Sequence, residues 1–255
     1  MDDGITYLSG VRHPELDFLA SYEGDYGILP PIGVLVQPLT ECYLRDADQY
    51  YRTVGVDNGC FTEIGRRLFS LRSYERMAKR AVELFGGNCL FVTAPDVPFD
   101  WKATLAASLP VLGTIRGWGC PAAMVWQDGA TVENMPWDEF DVGFIGGSTE
   151  WKLGDEAAAL TAEANRRGKL VHMGRVNSKN RLLTAQRFGC KTADGTYLMH
   201  EIKKGIDPAT AASRMVDWVR STFSVRQSEI REDLKRNHGV SDDGIKALRM
   251  AGYIW

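Results

Sequence analysis

Three aspartates follow short apolar runs: Asp57 in Val56-Asp57-Asn58-Gly59, Asp96 in Ala94-Pro95-Asp96, and Asp194 in Thr192-Ala193-Asp194-Gly195-Thr196. Three further runs end in Trp126-Gln127-Asp128-Gly129, Ile145-Gly146-Gly147-Ser148-Thr149 and His172-Met173-Gly174-Arg175-Val176-Asn177. Each ending alone is an ordinary turn sequence, since Asp-Gly and Asp-Asn-Gly make turns and Gly-Gly can give mere backbone clearance. Brought to one rim, they would set carboxylates, a glutamine and an arginine around one opening. Carboxylates crowded in that way split in pKa, leaving one as base or nucleophile and another as acid. The same oxygens could instead take Mg²⁺. His172 lies inside an apolar run and reads as a core or supporting residue. The five cysteines, Cys42, Cys60, Cys89, Cys120 and Cys190, are scattered and form no CxxC pair. They predict free thiols and argue against a zinc centre. Neither a metal nor a cofactor is expected.

The elements that must position these residues follow from hydrophobic patterning. Apolar runs at Ile5–Leu8, Gly33–Val36, Thr53–Val56, Leu90–Thr93, Ala122–Trp126, Val142–Ile145, Lys169–His172 and Gly189–Thr192 read as strands buried on both faces of a parallel sheet. Between them, Glu63–Phe85, Trp101–Trp118 (with a break at Pro110), Asp155–Arg167, and Lys179–Phe188 capped by Ser178 read as helices. Asp207-Pro208 opens another helix, to about Phe223. This is the α/β arithmetic of a (β/α)8 TIM barrel, whose chemistry sits at the C-terminal strand ends. A doubly wound open sheet is the rival, but Ser9-Gly10-Val11-Arg12-His13-Pro14 after the first run is not its phosphate fingerprint. The Pro-rich stretch Tyr26–Pro31 predicts a surface loop rather than a helix between the first two strands. Residues 1–223 are read as the barrel domain and 224–255 as a C-terminal helical appendage turning at Asn237-His238-Gly239.

Composition narrows the classes. Of 255 residues, 44% are hydrophobic and 25% charged, which excludes disorder. No apolar run reaches the roughly 18 residues of a membrane span, and the acidic N-terminus is not a secretory signal, so a cytoplasmic protein is expected. A net charge of −3 does not mark a strongly basic nucleic-acid binder, although a local patch can still grip a polyanion.

The ordered set Val-Asp-Asn-Gly-Cys-Phe-Thr-Glu, Ala-Pro-Asp, Val-Trp-Gln-Asp-Gly, Ile-Gly-Gly, Met-Gly-Arg and Ala-Asp-Gly-Thr, spread over about Val34 to Tyr197, resembles the tRNA-guanine transglycosylase superfamily. It is more similar to the compact, phage-type branch that places 7-deazaguanines in DNA. The resemblance implies Asp194 as nucleophile and Asp57 as general acid/base. It implies Asp96, Gln127, Gly146, Gly147, Met173, Gly174 and Asn58 as contacts to the base. Lys191 stands where the family often has Asp, and Cys60 and Thr62 replace a Gly and a Gln. The family's cysteine-rich zinc subdomain, associated with gripping tRNA, is lacking, which favours DNA over tRNA as the partner. Arg175, Asn177 and Lys179 are the candidate phosphate contacts; Arg181 shares the helix of Lys179.

The activity so implied is replacement of guanine in DNA by a 7-deazaguanine through a covalent aspartyl-glycosyl intermediate, with the target base flipped out. The partners are then DNA and a free guanine or 7-deazaguanine base. A homodimer is compatible with this, and the compartment would be the host cytoplasm for a phage protein. Three alternatives stand beside it: a metal-dependent barrel hydrolase or lyase using the same carboxylates, a tRNA-directed guanine transglycosylase, and a non-enzymatic nucleic-acid-binding barrel.

Overall fold

The computed structural model describes residues 4–21 and 31–250. Eight parallel strands pair in chain order and close on themselves: β1 (Thr6–Ser9), β2 (Ile32–Val36), β3 (Val54–Val56), β4 (Cys89–Thr93), β5 (Ala122–Trp126), β6 (Val142–Ile145), β7 (Leu170–Met173) and β8 (Thr192–Gly195). Pairing of β1 with β8 makes the closure, with Leu8 opposite Asp194 and Ser9 opposite Gly195. The chain is a (β/α)8 barrel, as its strand arithmetic predicts.

Side chains alternate along each strand. One set, Leu8, Leu35, Phe91, Ala123, Val125, Val142 and Phe144, fills the barrel interior. Their neighbours Tyr7, Val34, Val92, Met124 and Ile145 pack between sheet and helices. Gly55 on β3 leaves room in the interior, since a Cβ there would press on Leu8 and Phe91.

The outer layer is α1 (Pro14–Ser21), α2 (Glu63–Leu68), α3 (Leu71–Phe85), α4 (Trp101–Arg116), α5 (Thr149–Lys152), α6 (Asp155–Arg166), α7 (Lys179–Phe188), α8 (Tyr197–Lys203), α9 (Pro208–His238) and α10 (Asp242–Met250). Helix α3 buries Tyr74, Met77, Ala78, Ala81 and Phe85, a stripe at three- and four-residue spacing. The Ser178 hydroxyl accepts from the Arg181 N–H, so the predicted cap of α7 is made.

Several boundaries differ from the sequence reading. The first connection contains a helix, α1, opened by Pro14 with Glu15 and Asp17 in its first turn; Tyr26–Pro30 of the expected loop lie outside the described residues. The single helix expected over Glu63–Phe85 is two, because Phe69 and Ser70 are extended and Phe69 packs on Tyr74. Helix α4 runs unbroken through Pro110. Pro110 and Ala106 are both exposed, so water can satisfy the carbonyl the proline frees. The last strand is Thr192–Gly195 rather than Gly189–Thr192, since Gly189 is the left-handed cap of α7 at φ 93°. Asp194 therefore sits within the ladder.

Helix α9 does not stop near Phe223. It runs 31 residues from the Asp207 cap to Gly239, and nothing between 224 and 237 is Gly or Pro. Its first half closes the barrel: Ile5 N–H donates to Thr222 Oγ1 at 3.3 Å, and Gln186 Nε2 donates to the Thr222 carbonyl at 2.6 Å. The expected turn at Gly239 is present, with φ 62°, and α10 follows. Among the described residues no helix is long and apolar enough to cross a membrane.

Candidate active site

One half of the site hangs from β3, β4 and β5. Asp57 leaves β3 with its N–H on the Val36 carbonyl. Its carboxylate accepts from the Gly59 N–H at 3.1 Å and the Thr93 hydroxyl at 3.5 Å. The Asn58 amide is fully committed: Nδ2 donates to the Ala94 carbonyl at 2.7 Å and to Asp96 Oδ1 at 3.0 Å, and Oδ1 accepts from Cys60 N–H at 2.6 Å. Gln127 Nε2 donates to Asp96 Oδ2 at 2.6 Å. Gln127 Oε1 accepts from the N–H groups of Phe99 and Gly147, both at 2.9 Å. Four separate strand ends are thus tied through two buried amides and one buried carboxylate.

The other half hangs from β6, β7 and β8. Asp194 is 7% exposed. Its Oδ1 meets His172 Nε2 at 3.0 Å and the Arg175 backbone N–H at 3.3 Å. An ionised Asp194 requires the proton on Nε2, which leaves Nδ1 to accept from the Thr192 hydroxyl at 2.8 Å. Asp194 Oδ2 has no hydrogen-bond partner among the described residues. His172 is wedged between the interior rings of Phe91 and Phe144, at 4.8 and 4.4 Å between centroids.

Electrostatics join the halves. Burial, then the charges of Asp96 and Asp194, push the Asp57 carboxyl up to about 7. Burial also raises Asp96, opposed by the hydrogen bonds from Asn58 and Gln127. The Lys152 ammonium is fully buried and pulled down to about 7, chiefly by burial and then by the Arg175 charge. It donates to the carbonyls of Gly174 at 2.8 Å and Arg175 at 3.3 Å.

The expected residues divide. Asp57, Asn58, Asp96, Gln127, Gly146, Gly147, Gly174 and Asp194 share the mouth of the barrel. Gly147 has φ 41°, and a Cβ there would run into the Trp151 ring. Gly174 lies under the site, where a Cβ would stand 3.3 Å from Asp194 Oδ1. Met173 is corrected: His172 points inward, so its neighbour Met173 packs in the sheet–helix layer and not beneath a bound base. Arg175 is turned into the mouth, where its guanidinium donates to the Gly146 and Gly147 carbonyls rather than reaching outward for phosphate. Asn177 is spent on the turn, accepting from Thr196 N–H at 2.7 Å. Lys179 stays exposed at the start of α7. Asp128 braces the glycine loop by accepting from Ser148 N–H and Oγ at 2.7 and 2.6 Å.

Sequence reasoning missed the Asp194–His172–Thr192 chain, Lys152, and the exposed Phe61 and Phe99. The strand period could have found His172, one residue out of phase with the helix-facing Met173. The segment after Asp57 also carries exposed Ile64, Leu68 and Leu71 beside exposed Arg66, Arg67 and Arg72. Among the described residues, no group of three or more His, Cys, Asp or Glu is placed to hold a metal ion.

The fold and its mouth define a (β/α)8 barrel with a carboxylate-lined C-terminal opening. No protein-family model and no curated protein matches the chain. Solved structures that resemble it include a mutant tryptophan synthase α-subunit from the hyperthermophile Pyrococcus furiosus, 14% identical over 88% of this chain and 98% of that one, with a TM-score of 0.45. A chain of the tryptophan synthase α2β2 complex from the same organism is 12% identical over 88% and 98%, with a TM-score of 0.46.

Proposed function

We propose that this chain is a base-exchange transglycosylase that replaces guanine in DNA with a 7-deazaguanine. The observation that carries this reading is a pair of carboxylates made unlike by their surroundings. Asp57 holds its proton up to about pH 7. Asp194 is braced on one oxygen and open on the other. In the first half-reaction Asp194 Oδ2 bonds to C1′ as the C1′–N9 bond breaks. The bonding pair leaves with the base, and the Asp57 proton neutralises it. In the second, the nitrogen of the incoming base attacks C1′, the ester pair returns to Asp194, and Asp57 takes the proton that nitrogen loses. Asp96 and Gln127, already hydrogen-bonded to each other, would read the edge of the ring through the remaining lone pairs of Asp96 and the second N–H of Gln127 Nε2. The basic and apolar surface after Asp57 supports a nucleic-acid approach over that side of the mouth.

The test is incorporation of labelled guanine into DNA and, in parallel, into tRNA, with wild type and Asp194→Ala, in the presence of chelator. Label entering DNA only with wild type supports the proposal. Label entering tRNA alone moves the substrate to RNA. Loss of exchange in chelator favours the metal-dependent alternative, and no incorporation of guanine or a 7-deazaguanine into either polymer overturns base exchange.

A further inference from the structure

The mouth is filled by the protein's own Arg175. Its side chain starts at the end of β7 and crosses toward the loops after β3, β4 and β6. Nη2 donates to the carbonyls of Gly146, at 2.6 Å, and of Gly147. The guanidinium lies over the Phe61 ring, 4.5 Å from its centroid, and 5.9 Å from that of Phe99. Phe61 and Phe99 stand edge to face at 6.0 Å and are each about half exposed. Asp194 and Asp96 both act on its charge.

The backbone imposes this crossing. Arg175 is left-handed at φ 57°, a conformation that costs a residue with a Cβ, and Phe99 is left-handed too, at φ 67°. Arg175 is clamped from both sides: its N–H is held by Asp194 and its carbonyl by the buried Lys152. Hydrogen bonds to two buried side chains thus hold the left-handed conformation in place.

A guanidinium is a flat plate with a row of N–H donors along its edge. A ring that carries an amino group offers the same plate and, in that group, one nitrogen with two hydrogens, as Nη2 presents to the two glycine carbonyls. We propose that Arg175 is the occupant a ligand must displace, and that this mouth takes flat rings bearing an amino group, whose nitrogen takes the place of Nη2 on the Gly146 and Gly147 carbonyls while the ring takes the place of the guanidinium against Phe61. This deepens the base-exchange reading and rests on it for the identity of the ring. Arg175 becomes a specificity-determining residue. Rings without the amino group lose the exchange of like for like, and every ligand binds more weakly by the fraction of time the mouth is filled.

The test compares wild type with Arg175→Gly and Arg175→Asn, two residues that accept the left-handed backbone. Guanine and hypoxanthine, which lacks the amino group, are titrated calorimetrically without nucleic acid. Guanidinium chloride at low millimolar concentration is the third probe, read by thermal melting. Both variants are expected to bind guanine about tenfold more tightly than wild type, with a smaller gain for hypoxanthine. Guanidinium is expected to raise the melting temperature of the variants and to leave wild type unchanged or lower. Guanine binding equal in wild type and variants, or weaker in the variants, overturns the displacement. Guanidinium stabilising the variants while neither base binds any form keeps the displacement and removes base exchange, so the two failures are distinguishable.

Discussion

Asp57→Asn should make this protein more stable at pH 8 and leave its stability nearly unchanged at pH 4. The carboxyl has an ordinary value of 3.8 and is pushed up to about 7 in the folded chain. Its folded form therefore binds more protons than its unfolded form between those values, and stability falls as pH rises through that window. The full shift corresponds to a ceiling of about 4 kcal/mol. Asp57 is only half-buried, and solvent at the mouth screens part of the cost, so the expected gain is about 2 kcal/mol. Asparagine is nearly isosteric: its one oxygen can still accept from Gly59 N–H, and only the long 3.5 Å contact from the Thr93 hydroxyl falls where Nδ2 then stands. The gain should therefore not be masked by a lost hydrogen bond. The assay is urea unfolding of both forms at half-unit steps from pH 4 to 8.5, with the m-value checked for constancy. A difference that stays flat across the window would show that Asp57 is not crowded by Asp96 and Asp194, and would remove the acid from the proposed mechanism.

Three further outcomes are expected. Formation of the glycosyl-enzyme should fall above about pH 7, as Asp57 loses its proton, whereas attack by the incoming base should fall below it; single-turnover rates for each half-reaction separate the two, and parallel profiles would contradict the shared role. His172→Ala removes the partner of Asp194 Oδ1, and exchange should slow about 10- to 100-fold with the fold retained; an unchanged rate would mean the contact does no positioning. Gly147→Ala puts a Cβ into the Trp151 ring at a positive φ and should cost more than about 1 kcal/mol in chemical denaturation, whereas a neutral effect would mean the loop relaxes freely.

Which of these features the amino-acid order already contained follows from the range of the interactions involved. Strand identity and the closed parallel barrel were legible because doubly buried strands need continuous apolar runs. Ser178, Asp207-Pro208 and Gly239 were legible because a cap acts within a few residues. Asp57, Asp96, Gln127 and Asp194 were legible as rim residues because the fold sends every strand end to one mouth. Side-chain direction was not. Met173 faces the helices because His172 faces inward, and that phase is set by pairing with β6 and β8. Arg175 fills the mouth because Asp194 and Lys152, 19 residues after it and 23 before it, hold its backbone left-handed. The Asp57 carboxyl is raised first by burial and then by charges that meet it only when strands β3, β4 and β8 share one barrel. Local order determined the elements and the rim, because hydrophobic period and capping are short-range. Only the closed tertiary structure decided which groups face one another, because burial and Coulomb interaction depend on distance in space.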